Sequence, residues 1–203
     1  MTVALAQVPG AGGSALIEGD GSSELSPTEE RIVSAALRLI GRRGVKRLGM
    51  QEISEAAGVS RGTLYRYFPS KEHVVVAAAN YDEQRFTHGL AEALASVSDP
   101  ADRIRAFVAF SFDYIRTHPA RGLFESEPEF VVIYLLDHLP KLHGAVLEQL
   151  GSALDAVPAV ASGQLSPAEL TDVIVRLFAS SWLIAESDEQ TLVQSINHIL
   201  FPA

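Results

Sequence analysis

Several polar side chains between residues 61 and 71 are of the types that bind nucleic-acid bases and phosphates. The guanidinium of Arg61 could donate a bidentate pair of hydrogen bonds to guanine O6 and N7, which discriminates against a wrong base by about 1–3 kcal/mol. Gly62 would let the backbone approach a groove closely, and Thr63 offers a hydroxyl to phosphate and a methyl group to thymine. Lys71 stands at an expected helix start, where a cation is disfavoured unless an anion lies near. The alternative for Arg61 is a solvated surface arginine, and the alternative for Gly62 is a glycine that is merely tolerated at a helix start.

These residues stand in the most basic part of an acidic chain. The chain has 203 residues and a net charge of −9, yet residues 31–71 hold nine bases and two acids. Residues 1–30 hold five acids and no bases, and residues 72–203 hold seven bases and eighteen acids. Because a polyanion binds a basic surface, this distribution favours nucleic acid as the partner of this one segment. A chance cluster of solvated charges is the alternative.

Start and stop signals predict three short helices in and before this segment. Ser26, Pro27 and Glu29 have the types and spacing of a capping box with proline at the first helical position. A second helix from residue 50 should end at Gly58, where a left-handed residue is needed. Ser60 can cap a third helix that runs to about residue 68. Two helices joined by a tight, glycine-containing turn are the layout of a helix-turn-helix.

The third helix carries two tyrosines that point in different directions. Tyr65 and Tyr67 are separated by about 200° around a helix, so both cannot belong to one buried face. Leu64 and Phe68 already occupy the inward side. We therefore expect Tyr65 to face outward, toward DNA.

The run GMQEISEAAGVSRGTLYRYFPSKEHVV, inside a matching stretch from Ile32 to Val76, resembles the DNA-binding head of TetR-family repressors. The resemblance implies that the third helix reads operator DNA. It also implies that Gln51 reaches a base or a phosphate and that Tyr67 sends its hydroxyl to a phosphate. The alternatives are an exposed polar residue at Gln51 and a partly buried packing residue at Tyr67.

One position departs from the family pattern. Family members usually carry Thr or Ser just before the second helix, whereas this chain has Leu48 and Gly49. The hydroxyl contact to phosphate expected there is missing, although Gly49 can still serve as an N-cap.

The whole chain is predicted to be all-α, with about nine helices and no strand of period-2 alternation. We expect a disordered leader over residues 1–25, a three-helix DNA-binding head over 26–71 and a larger helical body over 72–203 that binds a ligand and dimerises. Beyond the head, the patterns predict helices over residues 71–97, 100–117, 130–138, 140–156, 167–186 and 188–200, with irregular chain over 119–129 and a loop over 157–165.

The two closing helices carry apolar stripes suited to a homodimer interface. Two such helices from each subunit would form a four-helix bundle and place two recognition helices one turn of DNA apart, roughly 34–36 Å. Closing the core of a monomer is the alternative use of these stripes. The residues predicted for the interface are Val173, Leu177, Leu192, Ile196 and Ile199.

Aromatic residues gather in the body, where most such rings would belong to the core. A helical body lined by large rings with few charges also suits a small apolar ligand, with Tyr134 and Trp182 as polar handles. Ligand entry would relieve operator binding by favouring a spacing of the two heads that no longer fits successive grooves. The candidate ligand-binding residues are Phe107, Phe110, Phe130, Tyr134, Phe178 and Trp182.

Other classes of function find little support in the sequence. Without cysteine there is no disulfide framework, zinc-thiolate cluster or thiol nucleophile, and the cytoplasm is the expected compartment. His138 and His143 are separated by Pro140 and lack the i, i+4 spacing of a zinc site, so we expect no metal. No phosphate loop or nucleophile elbow indicates an enzyme, and neither a cofactor nor a membrane span is expected. The alternatives are a regulator of the same fold controlled by a protein partner, or a helical enzyme or lipid carrier.

Overall fold

The computed structural model describes residues 25–184 and 189–202, so the leader predicted over 1–25 lies, except for Leu25, outside the described residues. Within those ranges the chain forms ten α-helices, one 3-10 helix and no strand, which confirms the predicted all-α class. The α-helices are α1 Pro27–Arg43, α2 Met50–Ala57, α3 Arg61–Tyr67, α4 Lys71–Leu94, α5 Pro100–Thr117, α6 Leu123–Ser126, α7 Pro128–Leu150, α8 Pro158–Ala161, α9 Pro167–Leu183 and α10 Glu189–Leu200, and the 3-10 helix is Gly151–Ala156.

Two helices begin with the same capping box. In α1 the Ser26 hydroxyl accepts from the backbone N–H of Glu29 at 3.3 Å, and the Glu29 carboxylate accepts from the backbone N–H of Ser26 at 2.9 Å. In α9 the pair Ser166 and Glu169 forms the same two bonds at 3.2 and 2.8 Å. Each box satisfies two backbone donors that a helix start leaves without a partner, so both predicted starts are confirmed.

The prediction of a helix break at Pro140 is wrong, since α7 runs through that residue without interruption. A proline inside a helix removes one backbone donor, but packing of the flanking turns can outweigh that loss. Both halves of α7 have such packing, because Val131 in the first half and Val146 and Leu150 in the second are buried. Long-range packing of this kind is invisible to a local stop signal.

The remaining differences are short elements and helix ends. A single turn of helix, α6, lies inside the stretch predicted to be irregular, α8 lies inside the predicted loop, and residues 151–156 are 3-10 rather than α-helical. The helix predicted to reach residue 97 ends at Leu94. There the guanidinium of Arg103 donates to the carbonyl oxygens of Leu94 at 2.9 Å and Val97 at 3.0 Å, which satisfies acceptors at the end of α4.

The chain divides into two compact units. Unit 1 comprises the chain up to Gln84 together with Pro119–Asp137, and unit 2 comprises Arg85–His118 together with the chain from His138 onward. Each unit has its own apolar core: Ile32, Ile53, Leu64 and Val74 are among the buried residues of unit 1, and Phe86, Phe107, Ile115 and Leu154 are among those of unit 2. The functional boundary between residues 71 and 72 stays a prediction, since compactness and function need not divide a chain at the same place.

One helical stretch, residues 128–156, is long and apolar enough by length and composition to cross a membrane. A single stretch of this kind is only a weak indication, because a helix from the core of a water-soluble protein passes the same test.

Candidate nucleic-acid interface

The turn between α2 and α3 is built around Gly58. This glycine has φ 64° and ψ 37°, in the left-handed region, and its backbone N–H donates to the carbonyl oxygen of Glu55 at 3.1 Å. The N–H of Val59 donates to the carbonyl oxygen of Ser54 at 3.0 Å. Ile53 from α2 and Leu64 from α3 are both fully buried in the unit 1 core. The predicted helix-turn-helix is therefore present.

Arg31 fastens this turn to α1 and was missed by the sequence analysis. Its guanidinium donates to the carbonyl oxygens of Ala57 at 3.2 Å and Gly58 at 3.1 Å. Those carbonyls lie at the end of α2, where intrahelical donors are lacking. Local sequence signals do not reveal this contact, because it joins residues 26 and 27 positions apart.

The α3 helix has an exposed polar side and a buried apolar side. Arg61 and Gly62 are exposed, and Tyr65 retains 46% of its accessible surface. On the opposite side Leu64 is buried, and Phe68, which follows α3, is buried with it. Leu64 and Phe68 thus anchor the helix while Arg61 and Tyr65 remain available to a partner, as expected from the sequence.

Ser60 sets the first turn of α3. Its hydroxyl accepts from the backbone N–H of Thr63 at 3.0 Å and lies 2.9 Å from the Thr63 hydroxyl. Thr63 itself is half-buried. Its hydroxyl can donate to Ser60 or outward to an acceptor, so the predicted phosphate contact stays a prediction.

Tyr67 lies half-buried against the unit 1 core, with the Arg66 guanidinium 5.1 Å from the centre of its ring. This placement agrees with the packing alternative, and a cation over an aromatic ring holds it in place. The contact of its hydroxyl with phosphate stays a prediction. Arg66 is exposed and adds a positive charge beside Tyr65 on the surface of α3.

The start of α2 lacks a side-chain cap. Gly49 is the N-cap residue, with φ −117° and no side-chain hydrogen bond, and Leu48 is buried in the core. These two residues thus support the fold without supplying a hydroxyl. Gln51 is exposed and donates from Nε2 to the Glu55 carboxylate at 2.9 Å, so a contact with DNA would compete with that bond. Arg43 and Glu52 form an ion pair beside it.

Lys71 begins α4 and reaches back to the turn between α1 and α2. Its Nζ donates to the carbonyl oxygen of Val45 at 3.4 Å. In the next position the pKa of Glu72 is held below its ordinary value, first by a hydrogen bond from the Ser70 hydroxyl and then by a backbone N–H. The start of α4 thus stabilises the charged form of the Glu72 carboxylate. The contact of Lys71 with a phosphate stays a prediction.

Exposed cations of this unit are free to meet an anion. Within residues 25–184 and 189–202, Arg42, Lys46, Arg47 and Arg61 form no ion pair, and all four are half-buried or exposed. Positive charge that no carboxylate neutralises raises the local potential. The basic segment is therefore able to attract a polyanion.

The predicted ligand-binding residues fall into both units. Phe130 and Tyr134 lie in unit 1, and burial raises the pKa of the Tyr134 hydroxyl well above its ordinary value, with the charges of Asp82 and Glu83 adding to the effect. Phe107 is a fully buried core residue of unit 2. Phe110, Phe178 and Trp182 are the other predicted residues of unit 2.

A chain of aromatic rings runs through unit 2. The ring of Phe86 lies 5.4 Å from that of Phe110 and 5.5 Å from that of Phe178, and His118 meets Trp182 edge to face at 4.7 Å. Tyr114 links the two groups, 5.1 Å from Phe86 and 5.5 Å from His118. Phe86 on α4 and His118 at the end of α5 were not among the predicted ligand-binding residues, because no local signal shows that these two helices bring their rings together.

The predicted dimer residues differ in exposure. Val173 and Leu177 on α9 retain 48% and 42% of their accessible surface, and Ile199 on α10 retains 77%. Leu192 is half-buried, and Ile196 is buried in the unit 2 core. The first three residues leave an apolar surface on α9 and α10 exposed.

No group of three or more His, Asp or Glu side chains in the described part of the chain is close enough together to hold a metal ion.

Comparison with known proteins finds a family match for part of the chain. The model for bacterial regulatory proteins of the tetR family matches residues 32–78, a range that contains α2, α3 and the turn between them. Residues 32–78 of this chain are thus similar to the tetR family of bacterial regulatory proteins.

Curated relatives match this chain over part of its length. The HTH-type transcriptional regulator Rv1255c of Mycobacterium tuberculosis is 37% identical over 91 residues, which cover 45% of this chain and 45% of the relative. The HTH-type transcriptional activator FasR of Mycolicibacterium smegmatis is 34% identical over 107 residues, 50% of this chain and 48% of FasR. The chain thus matches about half the length of these relatives.

Solved structures share the fold of this chain over most of its length. A TetR-family transcriptional regulator from Rhodococcus sp. has a TM-score of 0.65 and 21% identity, covering 86% of this chain and 99% of the other. AibR in complex with isovaleryl coenzyme A and operator DNA has a TM-score of 0.56 and 19% identity, covering 86% and 98%. At such identities the likeness establishes the fold alone.

Proposed function

We propose that this chain is a homodimeric transcription repressor that binds operator DNA through α3 and is released by a small, largely apolar ligand. It acts in the cytoplasm and performs no catalysis. Repression is the direct consequence of a bound dimer, because an occupied operator excludes other proteins from the same DNA.

The observation that carries this proposal is the two-sided α3 helix. Arg61 and Tyr65 are exposed on a helix that Leu64 fastens to the core, at the position where a helix-turn-helix enters the major groove. A guanidinium at the start of such a helix can reach guanine, and Tyr65 adds an aromatic surface beside it. The match of residues 32–78 to the tetR family model supports the same use of this helix.

The exposed apolar surface of α9 and α10 supports a homodimer. Burial of Val173, Leu177 and Ile199 against a second subunit would stabilise the dimer by about 25 cal/mol for each Å² of apolar surface removed from water. A two-fold dimer also presents two copies of α3 to one duplex.

The chain of aromatic rings in unit 2 supports the proposal of an apolar ligand. Phe110, Tyr114 and Trp182 are half-buried, so their rings offer aromatic surface together with a phenol hydroxyl and an indole N–H. The similar structure of AibR was solved with an acyl coenzyme A and operator DNA together. Phe130 and Tyr134 lie in unit 1, and their contact with a ligand stays a prediction.

The salt dependence of DNA binding tests the proposal. An operator is first selected from random duplexes with the full-length chain, and its affinity is then measured by fluorescence anisotropy between 50 and 200 mM salt, a range typical for such tests. We expect the logarithm of the affinity to fall with a slope of about −0.9 for each neutralised phosphate. Arg116→Ala, which removes an exposed cation on α5 of unit 2, should leave the slope unchanged. A flat response for the unaltered chain would contradict DNA binding.

The same assay tests release by a ligand. Small molecules are extracted from the purified chain, identified by mass spectrometry and returned to the operator complex one at a time. We expect at least one apolar compound to dissociate the complex while leaving the dimer intact. Compounds that bind the chain and leave operator affinity unchanged would contradict release by ligand, without affecting the case for DNA binding.

A further inference from the structure

The turn between α1 and α2 is held by a carboxylate from a distant part of the sequence. Glu127, only 6% exposed, follows α6, and its Oε1 accepts from the backbone N–H of Lys46 at 2.9 Å, across 81 residues of sequence. Burial of a carboxylate is unfavourable unless hydrogen bonds compensate for lost water. A hydrogen bond between a charged oxygen and a backbone N–H is among the stronger kinds, so this contact fixes the turn firmly.

Two glycines of unit 1 leave the space that this contact needs. Gly44 ends α1 with φ 80°, and a Cβ at that residue would overlap the Glu127 carboxylate. A Cβ at Gly41, one turn earlier, would overlap the backbone carbonyl of Pro119. Any side chain at either position would therefore push the segment 119–127 away from α1.

The same turn is also held at its other side. Lys71 donates to the carbonyl oxygen of Val45, and the side chains of Val45 and Leu48 are buried. Because the backbone on both sides of Lys46 is fixed, the turn determines where α2 begins. Lys46 and Arg47, both exposed, are carried directly on it.

We propose that Glu127 is a positioning residue for DNA binding: its carboxylate holds the turn between α1 and α2 in the arrangement that presents the turn's cations and the start of α2 to the duplex. This inference rests on the proposed function. It extends the binding machinery to a residue outside the matched range 32–78 and outside the predicted head. Glu127 touches no DNA in this proposal and acts only through the turn.

Glu127→Ala provides the first test. Loss of a charge-assisted hydrogen bond and of the buried contact should raise the operator dissociation constant about 10-fold. Glu129→Ala is the matched control, because it removes the same charge from an exposed side chain two residues further on. Operator affinity is measured under conditions in which circular dichroism shows that each variant is folded. Stoichiometric titration with operator DNA gives the active fraction, which is the fraction of the protein that is able to bind. A positioning role raises the dissociation constant at full active fraction, whereas a purely structural role lowers the active fraction and leaves the constant unchanged.

A double-mutant cycle with Gly44→Ala provides the second test. In the unaltered chain this change displaces the Glu127 carboxylate and strains a residue at positive φ, whereas in the Glu127→Ala background only the strain remains. We expect the loss of operator affinity caused by Gly44→Ala to be several-fold smaller in the Glu127→Ala background than in the unaltered chain. Gly163→Ala, at a φ of 75° with nothing within 4 Å, is the control for strain alone and should leave affinity unchanged.

Additive effects in the cycle, or a Glu127→Ala variant with unchanged operator affinity, would overturn the inference. If Glu127→Ala fails to fold, the isosteric Glu127→Gln replaces it, since it keeps an acceptor oxygen and loses the charge; we then expect a smaller, few-fold loss. Failure of the proposed function is distinguished by the unaltered chain, which would itself show no salt-dependent binding.

Discussion

Unit 1 and unit 2 use the same signals to start helices but expose different surfaces. In unit 1, α3 exposes Arg61 and Tyr65 above a buried Leu64, whereas in unit 2, α9 exposes Val173 and Leu177. Cationic and polar side chains are stable in water until they meet a polyanion, while exposed apolar side chains gain by meeting another apolar surface. Helix starts of the same kind therefore occur both in a unit whose surface suits DNA and in a unit whose surface suits a second subunit.

The largest effect that this comparison predicts is at α9. Leu177→Glu places a charge on the proposed dimer surface, so the dimer should dissociate. Because two linked heads bind one duplex far more tightly than one head, operator affinity should fall by roughly 10²–10⁴-fold. Size-exclusion chromatography with light scattering and an operator-binding assay measure the two consequences.

Ala161→Glu, which adds the same charge at an exposed residue of α8, should leave both readouts unchanged. A Leu177→Glu variant that remains a dimer with full operator affinity would show that α9 faces no second subunit. The contrast between the two surfaces would then fail.

A smaller effect is expected on α3, where one side chain discriminates between bases. Arg61→Ala should cost about 1–3 kcal/mol at one base pair of the operator and relax the preference there. Lys71→Ala should instead weaken binding to all sequences alike, because a phosphate contact carries no sequence information. Competition with operators altered at single positions measures both. Unchanged affinity and preference in both variants would exclude these roles.

Most of unit 1 could be predicted from the sequence because its signals are local. The capping box at Ser26, the left-handed Gly58 and the cap at Ser60 each act within one or two turns, so their residue types reveal the helix boundaries. Exposure of Tyr65 followed from helical periodicity alone. The contacts of Arg31 and Glu127 could not be predicted, since each joins residues far apart in the sequence.

Unit 2 was less predictable because packing decides more of it. Pro140 is a local signal for a helix end, yet α7 continues through it. Ile196 was predicted for the dimer interface from an apolar stripe, but its side chain is buried in the core of unit 2. A stripe of apolar residues does not say whether it is covered by the same chain or by another. For the same reason the sequence could not show which aromatic residues of unit 2 belong to the core and which line a ligand site.

The smallest effect concerns two serine–glutamate pairs at helix starts, one in each unit. Glu72 and Glu169 both have a pKa below the ordinary value of 4.5, so each favours the folded state above about pH 4.5, and this contribution is lost as the pH falls through the folded-state pKa. The largest cause at Glu72 is the Ser70 hydroxyl, which donates at 2.6 Å. The largest cause at Glu169 is the backbone N–H of Ser166.

Removal of the two hydroxyls should therefore affect the two units unequally. Ser70→Ala deletes the dominant cause and should return the pKa of Glu72 most of the way to its ordinary value. Ser166→Ala leaves the backbone donor in place, so the pKa of Glu169 should rise only in part. Carboxyl-carbon NMR titration measures both values. A larger rise at Glu169 than at Glu72 would contradict this expectation, because it would mean that the Ser166 hydroxyl rather than the backbone N–H is the main cause of the lowered pKa at the start of α9.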